Sequence, residues 1–374
     1  MAKLGKGGYG VVLAESESVA IKRFNKDSSA LCAIREILLT KSCCHDSVIK
    51  YSRYELLDDE IRVWMKRYNS DVSEYITRFD INKNGIRFIL KRVAIGLSYL
   101  HSRGIIHADL TPGNILMDFT IDAITDVVIA DLGISALTCE KYHSSHVQTR
   151  YYRAPEISCK GTTKFSTSID IWSLGCIIYQ LVTKQVLFKN TNETYVRFDI
   201  ARVMGVYDND PKKVMKNLKA LPYESILKFI TENIEINKKD AEPTIVNIIT
   251  RCLYADKYKR ITADEILNIF GIMRPNAIPI TVKLLPADEL TVTRNIPENI
   301  LSKCTEQLLN TAEQIYTKLN ENEEIQLSCL YIAACCYYGS SADGKILKEF
   351  CKKRNEQELY RLSIEIMHKT NFVL

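Results

Sequence analysis

The chain of 374 residues has no apolar run long enough to cross a bilayer; stretches such as "GCIIYQLV" fall far short of the roughly twenty residues required. No charged start followed by an apolar segment marks a secretory signal. Basic residues are nowhere blocked together with interleaved aromatics, and the net charge is a mild +5, which argues against a nucleic-acid partner. Twelve cysteines are present, including Cys43-Cys44 and Cys335-Cys336, but neither pair has metal-ligand spacing, so reduced core thiols are expected. Internal repeats and low-complexity segments are also missing. What these absences leave is an ordinary globular composition with no membrane and no nucleic-acid partner, expected to be intracellular (cytoplasm or nucleus) and long enough for two or three domains.

What is present changes character along the chain. Residues 1–68 read as short strands with one helix: "GYGVVLAE", "ESVAIKRF" and "DEIRVWMKRY" are β-rich, and "SALCAIREILLTKSC" places Leu31, Ile34, Leu38 and Leu39 at helical spacing. From 69 to 270 the pattern turns helical. "NGIRFILKRVAIGLSYLHSRG" is a long amphipathic segment closed by Gly104, and "SIDIWSLGCIIYQLVT" is apolar enough to be a buried central helix. A small strand-rich lobe on a larger helical lobe creates a cleft, where ligands bind. Residues 271–297, with several prolines, read as a linker, and 298–374 as further helices packed around "EEIQLSCLYIAACCYY".

The chemistry-bearing residues occur in a telling order. "GKGGYGVV" spaces Gly5, Gly7 and Gly10 as G-x-G-x-x-G, a weak signal alone, since glycines that admit phosphate oxygens also simply make turns. Lys22 follows in "VAIK" on an expected strand, and Glu36 on the next helix could hold it by an ion pair. "HADLTPGN" then offers Asp109 and Asn114, "VIADLG" offers Asp131, and "APE" offers Glu156. One carboxylate can accept a hydroxyl proton, while an Asp and an Asn can hold magnesium against nucleotide phosphates.

Together these elements resemble the signature set of the eukaryotic protein kinases, over residues 1 to about 270. The resemblance implies a bilobal α+β fold and transfer of the γ-phosphoryl group of ATP, with Mg2+, to serine or threonine. Asp109 would orient and deprotonate the acceptor hydroxyl, Lys22 would bind the α- and β-phosphates with Glu36 holding it, and Asn114 with Asp131 would be the metal ligands. The nucleotide would lie against Gly5, Lys6, Gly7, Gly8, Tyr9 and Gly10 of the loop, then Val12 and Ala20. Met65 would guard the back of the adenine pocket, Lys66 to Tyr68 would form the hinge, and Leu116 would complete the floor. The run Ala33-Ile34-Arg35-Glu36-Ile37 is similar to the PSTAIRE helix of cyclin-dependent kinases, and "HVQTRYYRAPE" resembles a segment shared by cyclin-dependent and mitogen-activated kinases. Asp170 would brace the catalytic-loop backbone, and Arg260 of "KRITADEIL" would pair with Glu156.

Two cations of the family are missing. Ala108 stands where an arginine contacts a phosphorylated activation loop, so its loss bears on regulation. Thr111 replaces a lysine that neutralises the transferred group, so its loss bears on rate. Leu132 replaces a phenylalanine, and Gln148 a small residue or valine. An active kinase is expected; the rival is a nucleotide-binding pseudokinase acting as a scaffold. Arg150 and Arg153 imply a proline-directed protein substrate. The tail, 298–374, is similar to a single cyclin box and would be a cis-acting, cyclin-like all-α domain. Ser144 matches the phosphorylated threonine of the activation loop, yet "DLGISALTCEKYHSS" contains no arginine and only Arg35 survives from the family's phosphate clamp. Constitutive activity is therefore expected.

Overall fold

The structure is a computed structural model that describes residues 2–6, 10–25, 33, 36–37, 39–56, 60–138, 147–157, 166–189, 196–208, 210–236 and 241–277. The helical tail at 298–374, Arg35 and Ser144 lie outside the described residues, as does the part of the linker beyond residue 277.

The N-terminal lobe is a five-stranded antiparallel sheet of β1 (Lys3–Lys6), β2 (Gly10–Ala14), β3 (Val19–Asn25), β4 (Tyr51–Leu56) and β5 (Glu60–Lys66), in the order β1-β2-β3-β5-β4. The β3–β5 ladder runs unbroken from Val19↔Lys66 to Asn25↔Glu60. Residues two apart on a strand share a face, so Ala20, Lys22 and Phe24 point the same way, and the Lys22 ammonium sits 4.8 Å from the Phe24 ring centre. Helical residues within 33–42 bring buried Ala33, Glu36, Ile37 and Leu39 into the same core.

The C-terminal lobe is mainly helical. After β6 (Ser70–Asp71) and α1 (Val72–Arg78) comes α2 (Lys83–Ser102), opened by the Asn82 side chain accepting from Gly85 N at 2.8 Å. It closes as its sequence implied: Gly104 takes the left-handed backbone, φ +79°, that permits a chain reversal. The strands β7 (Ile105–Ile106), β8 (Ile115–Phe119), β9 (Ile124–Ile129) and β10 (Ala136–Leu137) frame the catalytic segment. The helix α3 (Ser168–Thr183) is buried on nearly every side, and Trp172 stacks on Phe188 with centroids 5.5 Å apart. Gly175 lets it approach Cys252 closely: a Cβ there would lie 2.6 Å from that of Cys252. The remaining helices are α4 (Val196–Val203), α5 (Pro211–Ala220), α6 (Tyr223–Ile236), α7 (Pro243–Cys252) and α8 (Ala263–Ile269). A Thr262–Glu265 capping box starts α8. Residues 272–277 carry no helix or strand. Among the described residues no helix is long and apolar enough to cross a membrane.

Candidate active site

A cavity of about 400 Å³ opens between the sheet and the helical lobe. The sheet contributes Gly5, Gly10, Val12 and Ala20; Lys22, Glu36 and Met65 line its depth; Asn114, Leu116 and Asp131 come from the other lobe. Gly10 is required by packing alone, since a Cβ would fall 2.5 Å from the Arg23 carbonyl oxygen. Lys6 ends β1, whereas Gly7, Gly8 and Tyr9 lie outside the described residues.

Three charged side chains meet at the back. Lys22 Nζ donates to both carboxylate oxygens of Glu36 at 2.7 Å and lies 3.1 Å from Asp131 Oδ1. Lys22 is 8% exposed and Glu36 only 1%, so neither charge is tolerable without the other. Burial alone would lower the lysine's pKa, but Glu36 and Asp131 outweigh it and hold the ammonium protonated. Burial pushes the Glu36 carboxyl up to about 7, against the opposing pull of Lys22. Asp131 sits on a left-handed backbone, φ 68°, and its carboxyl is held below the usual range because Lys22 overcomes the effect of burial. The next residue, Leu132, is fully buried, as the apolar replacement of phenylalanine requires.

The catalytic segment is fixed from below by Asp170. Its Oδ2 accepts from His107 N at 2.8 Å and its Oδ1 from Ala108 N at 2.9 Å, with His101 Nε2 also 2.8 Å from Oδ2. Asp109 follows directly, and its Oδ1 accepts from Thr149 N at 2.8 Å and Thr149 Oγ1 at 2.9 Å; it is not among the residues lining the cavity. Asn114 donates through Nδ2 to the Asp109 carbonyl at 2.8 Å, which leaves Oδ1 as the oxygen that can face a cation. An amide oxygen beside the Asp131 carboxylate is a hard oxygen pair, and it fits magnesium already carrying phosphate and water ligands. No cluster of three His, Cys, Asp or Glu side chains capable of holding a metal occurs among the described residues.

Both Lys66 and Tyr68 of the expected hinge line the cavity, but the Lys66 side chain is engaged elsewhere. The Lys66 side chain turns out of the cleft, to Asp118 at 2.7 Å and Asp126 at 3.1 Å, so any contribution of Lys66 to adenine comes from its backbone. The Tyr68 ring lies 4.4 Å from the Lys66 ammonium. Thr111 starts the turn Pro112–Asn114 without a side-chain capping bond, and no cation is supplied by that position. Arg260 grips Glu156 in a two-pronged pair at 2.6 and 2.7 Å and lies 5.0 Å over Trp172, a structural clamp as expected.

Sequence reasoning missed two residues. Gln148 is buried with a left-handed backbone, φ 60°. Its Nε2 donates to Ile169 O at 2.9 Å and Ser173 Oγ at 2.8 Å, and its Oε1 accepts from Ala154 N at 3.0 Å. Its backbone N–H donates to the Ala108 carbonyl at 2.8 Å, and its carbonyl accepts two bonds from Arg153. Tyr51, on β4, donates its hydroxyl to Glu36 Oε1.

A lysine held by a helix carboxylate, a braced Asp-bearing loop, an Asp–Asn oxygen pair and a glycine-edged sheet define a nucleotide-dependent phosphotransferase cleft. Residues 1–269 match the family model described as "Protein kinase domain", and the chain belongs to that family. Among its curated relatives, mitogen-activated protein kinase 12 of Mus musculus is 29% identical over 286 residues, covering 71% of this chain and 75% of that protein. Mitogen-activated protein kinase HOG1 of Chaetomium globosum is 30% identical over 275 residues, with coverages of 71% and 75%. Mitogen-activated protein kinase 5 of Arabidopsis thaliana is 28% identical over 281 residues. The chain is a protein serine/threonine kinase of the mitogen-activated type, using ATP with Mg2+. These relatives do not support the cyclin-dependent class expected from the likeness of the Ala33–Ile37 run.

Proposed function

We propose that phosphotransfer is carried by Lys22, Glu36, Asp109, Asn114 and Asp131, and that the protein substrate presents its serine or threonine to Asp109. Bound ATP–Mg2+ supplies the transferable γ-phosphoryl group. Lys22, kept protonated by two carboxylates, binds the nucleotide phosphates; Asp109 receives the acceptor hydroxyl's proton; Asn114 Oδ1 and Asp131 hold the cation. The observation that carries this reading is the Lys22–Glu36 pair at 2.7 Å with Asp131 at 3.1 Å. A nucleotide-binding scaffold would keep that arrangement for the phosphates but has no need of Asp109, the carboxylate that accepts the hydroxyl proton.

The substrate preference is proposed to be proline at the position after the acceptor. Arg153 occupies the Gln148 carbonyl with bonds of 3.0 and 2.8 Å. A substrate residue lying there finds no acceptor for its own N–H, and proline has none to satisfy. Lys22→Met is expected to abolish phosphorylation of a Ser-Pro peptide while far-UV dichroism keeps the shape of the folded protein; the melting temperature should fall, because Glu36 loses its buried partner. Retained turnover would remove the nucleotide assignment.

A further inference from the structure

The sheet face that bears Lys22 also bears Tyr51. Tyr51 lies opposite Met65 in the β4–β5 ladder, and Met65 lies opposite Ala20 in the β3–β5 ladder. Directly paired residues share a face, and so do residues two apart on one strand, which puts Tyr51 and Lys22 on the same side. The Tyr51 hydroxyl reaches the very oxygen, Glu36 Oε1, that accepts from Lys22 Nζ. Other members of this core are apolar: Ile37, Ile49, Val63 and Met65 are all buried. A phenylalanine would satisfy the packing there, so packing does not explain the hydroxyl.

We propose that Tyr51 is a positioning residue for phosphotransfer, its hydroxyl fixing the Glu36 carboxylate in the orientation that grips Lys22. The inference rests on the reading that Lys22 serves the nucleotide phosphates. The bond ties the Glu36 helix to β4 as the ion pair ties it to β3, so Glu36 moves with the sheet that carries Lys22. The family's other means of setting this helix, an arginine from the catalytic loop acting through a phosphorylated residue, is missing at Ala108. Burial raises the phenol's pKa far above its ordinary value, with Glu36 reinforcing the effect, so Tyr51 is a hydrogen donor throughout the working range. Glu36 needs such a donor. Burial has already pushed its carboxyl up to about 7, and the bonds from Lys22 and Tyr51 are what restrain it. Only the ionised form makes the pair with Lys22.

The test is Tyr51→Phe in the full chain, measured beside Lys22→Met and in a Glu36→Gln background. The groups facing Glu36 whose charge could report are Lys22 on β3, Tyr51 on β4 and Asp131. For Tyr51→Phe the expected result is a roughly tenfold fall in kcat/KM for ATP at pH 7, the size of one hydrogen bond to a charged group. Its acid limb should move about one pH unit upward, since a tenfold change in carboxylate stabilisation is one unit. The KM for peptide and the melting temperature should change little. In the Glu36→Gln background the same substitution should change ATP–Mg2+ affinity hardly at all, because the hydroxyl has lost the charge it serves. An unmoved pH profile, or an equal loss of affinity in both backgrounds, overturns the inference; the second measurement stands even where turnover of Glu36→Gln is too slow to follow. A dead Lys22→Met beside an unchanged Tyr51→Phe overturns this inference alone, whereas an active Lys22→Met overturns the nucleotide reading beneath it.

Discussion

Replacing Gln148 by alanine removes four side-chain bonds, one of them a long 3.5 Å contact to Tyr152 O, at the junction of the catalytic loop, the activation segment and α3. The donors and acceptors left behind are unequal. Ser173 Oγ keeps its own bond to Tyr152 O at 2.9 Å, and Ile169 O loses one of its donors. Ala154 N loses the side-chain oxygen that accepts from it, in a residue with no solvent exposure. An unsatisfied buried N–H costs about 1–3 kcal/mol and each lost bond about 1 kcal/mol, offset by about 1.5 kcal/mol of recovered side-chain entropy. A net loss of about 2–3 kcal/mol corresponds to roughly 5–10 °C in melting temperature for a domain of this size. The functional effect is sharper. Alanine has no side-chain bonds to hold φ near 60°, where a non-glycine residue is disfavoured by about 1–2 kcal/mol. The backbone can relax and free the carbonyl that Arg153 occupies. Peptides differing only in proline or alanine after the acceptor should then be phosphorylated at more nearly equal rates, with KM for ATP unchanged. If Gln148→Ala keeps both the wild-type melting temperature and full proline discrimination, the amide does not hold this junction.

Thr111→Lys should raise kcat several-fold in steady-state peptide assays, because it places an ammonium beside Asp109 and sacrifices no capping bond; an unchanged or lower rate would show that the threonine is no deficit. Asp131 has a folded-state pKa below its ordinary 3.8, so its contribution to stability is present above about pH 4 and is lost as pH falls through the folded value. Urea midpoints measured between about pH 5 and 2.5 should therefore fall more steeply for wild type than for Asp131→Asn, and parallel curves would contradict the sign. From the sequence of the tail and the missing phosphate clamp, Ser144→Ala should be nearly silent, whereas truncation after about residue 275 should cut the rate severely through loss of a cis-acting domain. An equally active truncated kinase lobe, or an inactive Ser144→Ala, would end that idea.

Much of this was legible because it depends on local pattern. The β3 and β5 strands, the 20-residue α2 with its glycine stop, the buried α3, the bracing by Asp170 and the Arg260–Glu156 clamp all follow from periodicity or from motifs that fix one residue at one place. The strand β4 was not foreseen. Its exposed Ser52 and Arg53 and the bulge between Tyr51 and Arg53 break the alternation by which a face is assigned. Nothing in "YSRYEL" says that its first tyrosine points at Glu36. Lys66 misleads for the opposite reason: it sits where hinge residues sit, but two carboxylates from β8 and β9, distant in sequence, draw its side chain away. Gln148 looked like a departure from pattern because a motif records residue type and not the backbone angle that turns this side chain inward.

The loss at Ala108 acquires a meaning from these same residues. A charged arginine cluster gathers a phosphate when the phosphate is present and repels itself when it is not, which is what makes it a switch. Here the corresponding junction is closed by bonds within the protein itself. Ala108 offers its N–H to Asp170 and its carbonyl to Gln148, and Gln148 carries the tie onward to Ala154, Ile169 and Ser173. Ala108 itself has φ 65° and no solvent exposure. These bonds run among backbone groups, an amide, a hydroxyl and the Asp170 carboxylate, and none of them needs an added phosphate to form. At the other end of the cleft Tyr51 ties down Glu36 from the sheet rather than from the loop. A catalytic segment held in this manner is ordered by folding, so its activity should be set by how much kinase is folded rather than by how much is phosphorylated.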